Sequence, residues 1–74
     1  MKSILVLWYG WVLVGRYEKK EKRLYDAQVI RRWGTTQGIG QLRNGPLPET
    51  VLEPLGDVDI PQKPLIIIEA KGWK

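Results

Sequence analysis

The chain has 74 residues, with no cysteine, no histidine, four tryptophans, eight glycines and five prolines. Disulfides, thiolate metal sites and chemistry that runs on an imidazole base or ligand are thereby excluded. The net charge of +4 is uneven: residues 1–44 carry nine basic and three acidic side chains, residues 45–74 three basic and five acidic ones.

A chain of this length makes one small domain, residues 1–74, and buries only roughly 60% of its unfolded surface. Small domains lean on disulfides, metals or self-association, and self-association is the prop that this composition leaves, so a homo-oligomer is expected. Lys2 followed by the apolar run Ile4–Val14, broken by Gly10, imitates a secretory leader. No small-x-small site follows it, and the run is shorter than the ~20 residues that a spanning helix needs. The expectation is a cytoplasmic protein with no membrane partner.

Ser3–Tyr9 is apolar on both alternating sets and short, as in a strand covered on both faces. Trp11–Glu18 reads as a second strand, with a bulge at Gly15 and a kink or tight link at Gly10. Lys19–Lys22 is a charged hairpin tip, and Arg23–Trp33 a third strand. Its alternation puts Tyr25, Ala27 and Val29 on one face and Leu24, Asp26, Gln28 and Ile30 on the other, with a bulge near Val29 and Ile30. From Gly34 the composition turns to glycine and threonine: Thr35 or Thr36 can cap one to two helical turns, and Asn44-Gly45-Pro46 stops them. Pro46–Gly56 is Pro-rich and reads as an irregular lid, with Leu47, Val51, Leu52 and Leu55 over the core or against a neighbouring subunit. Asp57–Ile60 is a short strand, Pro61–Lys63 a turn, Pro64–Ala70 a strong strand, and Lys71–Lys74 a tail with Trp73. The sum is an all-β protein, a small antiparallel SH3-like barrel of about five strands with one short helical turn. An OB-fold is the alternative, but it is usually longer and carries a real helix.

Gly10-Trp11-Val12-Leu13-Val14-Gly15, the charged hairpin, the segment from Val29 through Arg31, Trp33 and the small-residue turn to Gln41-Leu42, and the late strands Asp57–Pro61 and Ile66-Ile67-Ile68 form a pattern. It resembles a family of small, mostly β proteins of tailed phages and prophages. The chain departs from that pattern at Arg43-Asn44-Gly45, where an Ala-rich turn is usual. The resemblance implies a phage-encoded accessory protein acting in the infected cell's cytoplasm, and it carries no catalytic residues over.

The stretch with most chemistry is Arg31, Arg32, Trp33, Thr35, Thr36, Gln37 and Gly38, with Arg43 downstream. Guanidinium groups bind phosphate bidentately, a Gly-rich turn can aim N–H groups at an anion, and an indole stacks on a base. No Gly-Lys-Ser/Thr ending or dinucleotide glycine spacing accompanies it, and the plain structural reading is that the arginines straddle the sheet while the glycines turn the chain. Trp8, Tyr9 and Trp11 read first as core or subunit interface, because a marginal core needs their burial, and second as a stacking platform for bases. Arg16, Lys19, Lys20, Lys22 and Arg23 could contact a phosphate backbone, or form a solvated turn. Asp57 and Asp59 face one side of a strand, which more often protects an edge than holds a cation. Ser3 is the only serine, and no nucleophile–base pair exists, so no enzyme, cofactor or metal is expected. The leading expectation is a homo-oligomer that binds a phosphate-bearing ligand, in one form a sponge that sequesters a host nucleotide signal as an anti-defence device. The alternatives are a nucleic-acid-binding barrel and a structural or inhibitory protein that binds only protein.

Overall fold

The computed structural model describes residues 2–73. Five strands, β1 (Ser3–Val6), β2 (Val12–Glu18), β3 (Arg23–Arg32), β4 (Val51–Asp59) and β5 (Ile66–Glu69), form one antiparallel sheet in the order β4-β3-β2-β1-β5. Two short 3-10 segments, Trp8–Gly10 and Ile39–Asn44, complete the regular structure. The expected all-β, SH3-like arrangement is therefore present, as a curled but open sheet whose edge strands are β4 and β5. No helix among the described residues is long and apolar enough to cross a membrane.

Both faces of the sheet are core, which is why its central strands read as unbroken apolar runs. On one face Ile4, Val12, Val14, Ile30 and Ala70 pack with Leu42 of the second 3-10 segment, flanked by Ile39, Leu52 and Trp73. On the other, Leu5, Leu13, Leu24, Ala27 and Val29 pack with Ile60 just beyond β4. Leu7 and Ile60 line one depression, so the sheet curls until the far end of β4 meets the β1–β2 connection.

The bulge expected at Gly15 is there, as a register shift between Val14 and Arg16. A Cβ on Gly15 would lie 2.7 Å from the Tyr25 carbonyl oxygen, an atom held in the sheet. Gly15→Val is therefore expected to cost about 1–3 kcal/mol by overpacking. Chemical denaturation measures it, with a lower midpoint and an unchanged slope.

Other elements differ from expectation. The register of β3 against β4 shifts between Ile30 and Arg32, beside the bulge expected near Val29 and Ile30, and a further bulge lies at Asp26, with φ 50°. It returns Leu24, Ala27 and Val29 to one face, while Val29 and Ile30 are both buried on opposite faces. Pro46–Gly56 is not an irregular lid: from Val51 onward it belongs to β4, which also absorbs the short strand expected at Asp57. Pro54 is compatible with this because β4 is an edge strand, where a missing N–H need not break a ladder. The first strand ends at Val6, where the expected strand continued to Tyr9. The end of the Lys71–Lys74 tail lies outside the described residues.

Candidate functional site

The residues from Arg31 to Arg43 are placed by three different elements. Arg31 and Arg32 are both exposed at the end of β3, where the register against β4 shifts between Ile30 and Arg32. Arg31 Nη1 lies 3.5 Å from Glu53 Oε2 of the neighbouring strand, and Arg32 sits opposite Val51. The Trp33 carbonyl accepts a 2.6 Å hydrogen bond from the Thr50 hydroxyl, which leaves the indole exposed. Gly38, not Thr35 or Thr36, is the residue that precedes the 3-10 segment, and no side chain caps it from in front. Instead, Gln41 reaches back: its Oε1 accepts the N–H groups of Thr36 and Gln37 at 3.0 and 3.1 Å. An anion entering this turn would have to displace that amide oxygen. Arg43 is exposed at the far end of the segment, where its carbonyl accepts the Gly72 N–H. Asn44-Gly45 stops the segment as its composition predicts, with Gly45 at φ 115° and its N–H donated to Leu42.

The aromatic cluster lies elsewhere and is not core. Trp8 and Trp11 are each 53% exposed and Tyr9 is 100% exposed. Burial was expected because the core needed filling, but the aliphatic side chains of the two clusters fill it without them. A tight turn presents the aromatics. The Leu7 N–H donates to the Trp11 carbonyl at 2.8 Å, and the chain reverses through Tyr9 at φ 64° and Gly10 at φ 80°. Glycine takes that conformation freely, but tyrosine does so at a cost of order 1–3 kcal/mol. Such outliers concentrate at functional sites.

Depressions run away from this turn on both sides. One of about 220 Å³ lies between Leu7, Trp8, Trp11, Ile60 and Pro61. A second, shallow and more polar, joins Tyr9 and Trp11 to Arg31. Arg31 is thus the member of the expected arginine site that shares a surface with the aromatics. On the opposite flank, Trp8 and Tyr9 share a depression with Gln62 and Lys63, which in turn share one with Lys19 and Lys22. The result is a continuous path from Arg31 over the aromatic turn to the β2–β3 hairpin tip.

Not every cation of that hairpin is available. The Arg16 guanidinium pairs with Glu18 at 2.9 Å and lies over the Tyr25 ring, 4.5 Å from its centroid. Arg23 pairs with Asp59 at 2.8 Å. The Tyr25 hydroxyl donates to Glu21, and this hydrogen bond, before desolvation, raises the phenol above its ordinary value. Asp57 accepts the N–H of Asp26 at 3.0 Å, so both β4 aspartates serve the sheet. Lys19 and Lys22 remain as exposed cations facing the path. Gln62 and Lys63 carry no signal of their own in the sequence; Tyr9-Gly10, a turn dipeptide between two apolar runs, could have revealed that the aromatics sit on a reversal and not inside a strand.

No protein-family model, no curated protein and no solved structure matches this chain.

Proposed function

We propose that this protein is a non-enzymatic binder of single-stranded nucleic acid, with bases stacked on Trp8, Tyr9 and Trp11 and the backbone tracked by Arg31, Lys63, Lys19 and Lys22. The observation that carries the reading is the exposed aromatic turn, held in a strained conformation and flanked by cations on both sides. Stacking on an aromatic platform is tolerant of sequence because every base has a π-face, and a basic path supplies the phosphate contacts. An accessory role of this kind is in keeping with the resemblance to small phage proteins.

A single nucleotide, as in the sponge reading, would use the same turn with Arg31 alone, and salt separates the two ligands. A strand that spans the four cations releases their counterions, so log K should fall with log[salt] at a slope of about −3. A nucleotide held by one cation should give a slope shallower than about −1. The measurement is fluorescence anisotropy of a labelled oligothymidylate between 50 and 200 mM salt, about the range over which such slopes are read. Saturable binding with the steep slope supports the strand. Absence of binding at the lowest salt overturns it and leaves a protein partner as the occupant of the aromatic turn.

A further inference from the structure

Asn44 is the only asparagine of the chain, and a glycine follows it. This dipeptide loses the asparagine side-chain amide more readily than others, because glycine has no Cβ to crowd its own nitrogen. In that reaction the Gly45 nitrogen gives its proton to a base in solvent and bonds to Asn44 Cγ. The side-chain nitrogen leaves as ammonia, and a five-membered succinimide closes. Water then opens the ring at either carbonyl. One opening leaves aspartate. The other leaves isoaspartate, in which the main chain runs through Cγ and the former main-chain carbonyl of residue 44 is a free carboxylate. No electrons are exchanged, and water is the only co-reactant.

The fold holds the nucleophile of this reaction. Gly45 is buried, and its N–H is donated to the Leu42 carbonyl at 3.0 Å. The same carbonyl accepts the Trp73 Nε1–H at 2.6 Å. The Gly72 N–H donates to the Arg43 carbonyl at 3.0 Å, which lays the main chain of Gly72 across Asn44 and Gly45. A Cβ on Gly45 would lie 3.2 Å from the Gly72 carbonyl oxygen, and a Cβ on Gly72 would run into the Asn44 carbonyl. We propose that Asn44 is a deamidation site gated by Gly72 and Trp73, closed while they lie on the 3-10 segment and open when they lift. To reach Cγ, the Gly45 nitrogen must leave Leu42 and move under a backbone that leaves it no space. Local openings of this kind cost less than global unfolding, so the site reacts from the folded population. The isoaspartyl product cannot close again. It puts a carboxylate where the Gly72 backbone leaves no room for a methyl group. One opening is thus recorded covalently, and Leu42 loses the contacts that hold it over its face of the sheet.

The test follows the full chain in mildly alkaline buffer by peptide mass mapping that separates isoaspartate from aspartate at residue 44. The chain in denaturant sets the ungated rate. The folded wild type should react about tenfold or more slowly, a factor set by the free energy of local opening. Trp73→Ala, shown to be folded by circular dichroism, should react about threefold or more faster than the folded wild type, as the loss of one hydrogen bond predicts. Where that variant does not fold, urea below the wild-type unfolding transition takes its place and should raise the rate. The isolated isoaspartyl form should melt below the wild type, while Asn44→Asp, which keeps the main chain intact, should melt with it. A folded rate equal to the denatured one, a rate unmoved by folded Trp73→Ala or by urea in its place, or an isoaspartyl form as stable as Asn44→Asp overturns the proposal. None of these readouts depends on nucleic-acid binding.

Discussion

Replacing Trp8 and Trp11 together with alanine is expected to remove strand binding almost entirely while the protein remains folded. Each indole is about half exposed, and neither belongs to the two clusters that make the core. Stacking is worth about 1–3 kcal/mol per base, so the pair represents about 2–6 kcal/mol, a loss of thirtyfold to more than a thousandfold. Arg31 and Arg32 provide an internal control, because Arg31 and not Arg32 lines the depression that holds Tyr9 and Trp11. Arg31→Ala should reduce the salt slope by about 0.7. Arg32→Ala, outside that depression, should leave the slope alone. Oligonucleotide anisotropy measures both, and thermal denaturation reports folding. Full affinity in the folded double variant would remove the aromatic turn from the site.

Leu42→Ala should produce the largest loss of stability from a single truncation outside the strands. Leu42 is the one buried residue of the second 3-10 segment, and it closes one face of the sheet from above. Its carbonyl also accepts the Trp73 Nε1–H at 2.6 Å and the Gly45 N–H at 3.0 Å, so the 3-10 segment and the tail meet at this residue. A buried Leu→Ala change costs about 2–5 kcal/mol. For a domain of this size that is about 10–30 °C in Tm. A melting shift of under about 5 °C, corresponding to less than ~1 kcal/mol, would show that the segment unfolds separately from the sheet.

Much of the fold is legible in the sequence because its main signals are local. β-branched runs gave β1, β2 and β5, the Lys19–Lys22 tip gave a hairpin, and Asn44-Gly45 gave the stop of the 3-10 segment. What escaped depends on partners that lie far apart in the chain. Pro54 disqualifies an interior strand but not an edge, and only the sheet order shows that β4 is an edge. The need to bury Trp8 and Trp11 vanishes once Ile60, Leu42 and Ala70 are seen to close the two faces. The site was harder still. The residues from Arg31 to Gly38 are contiguous in sequence, yet of the two arginines Arg31 alone lines the aromatic depression, and Gln41 occupies the N–H groups of the turn. Arg31 instead shares a surface with Tyr9 and Trp11, which a linear reading keeps apart.

A sheet buried on both faces specifies the register of its central strands only weakly. In a sheet with one wet face, sliding a strand by one residue would expose its apolar set, and solvent forbids the slip. Here that sanction is absent through the centre: Ile4 and Leu5, or Val29 and Ile30, could exchange clusters and both would stay dry. Alignment must come from irregularities that cannot be translated. The bulge at Gly15, where no side chain fits, and the left-handed Asp26, whose N–H is held by Asp57, are such fixed points. They act as index marks along a strand pair that hydrophobicity alone would leave free to slide.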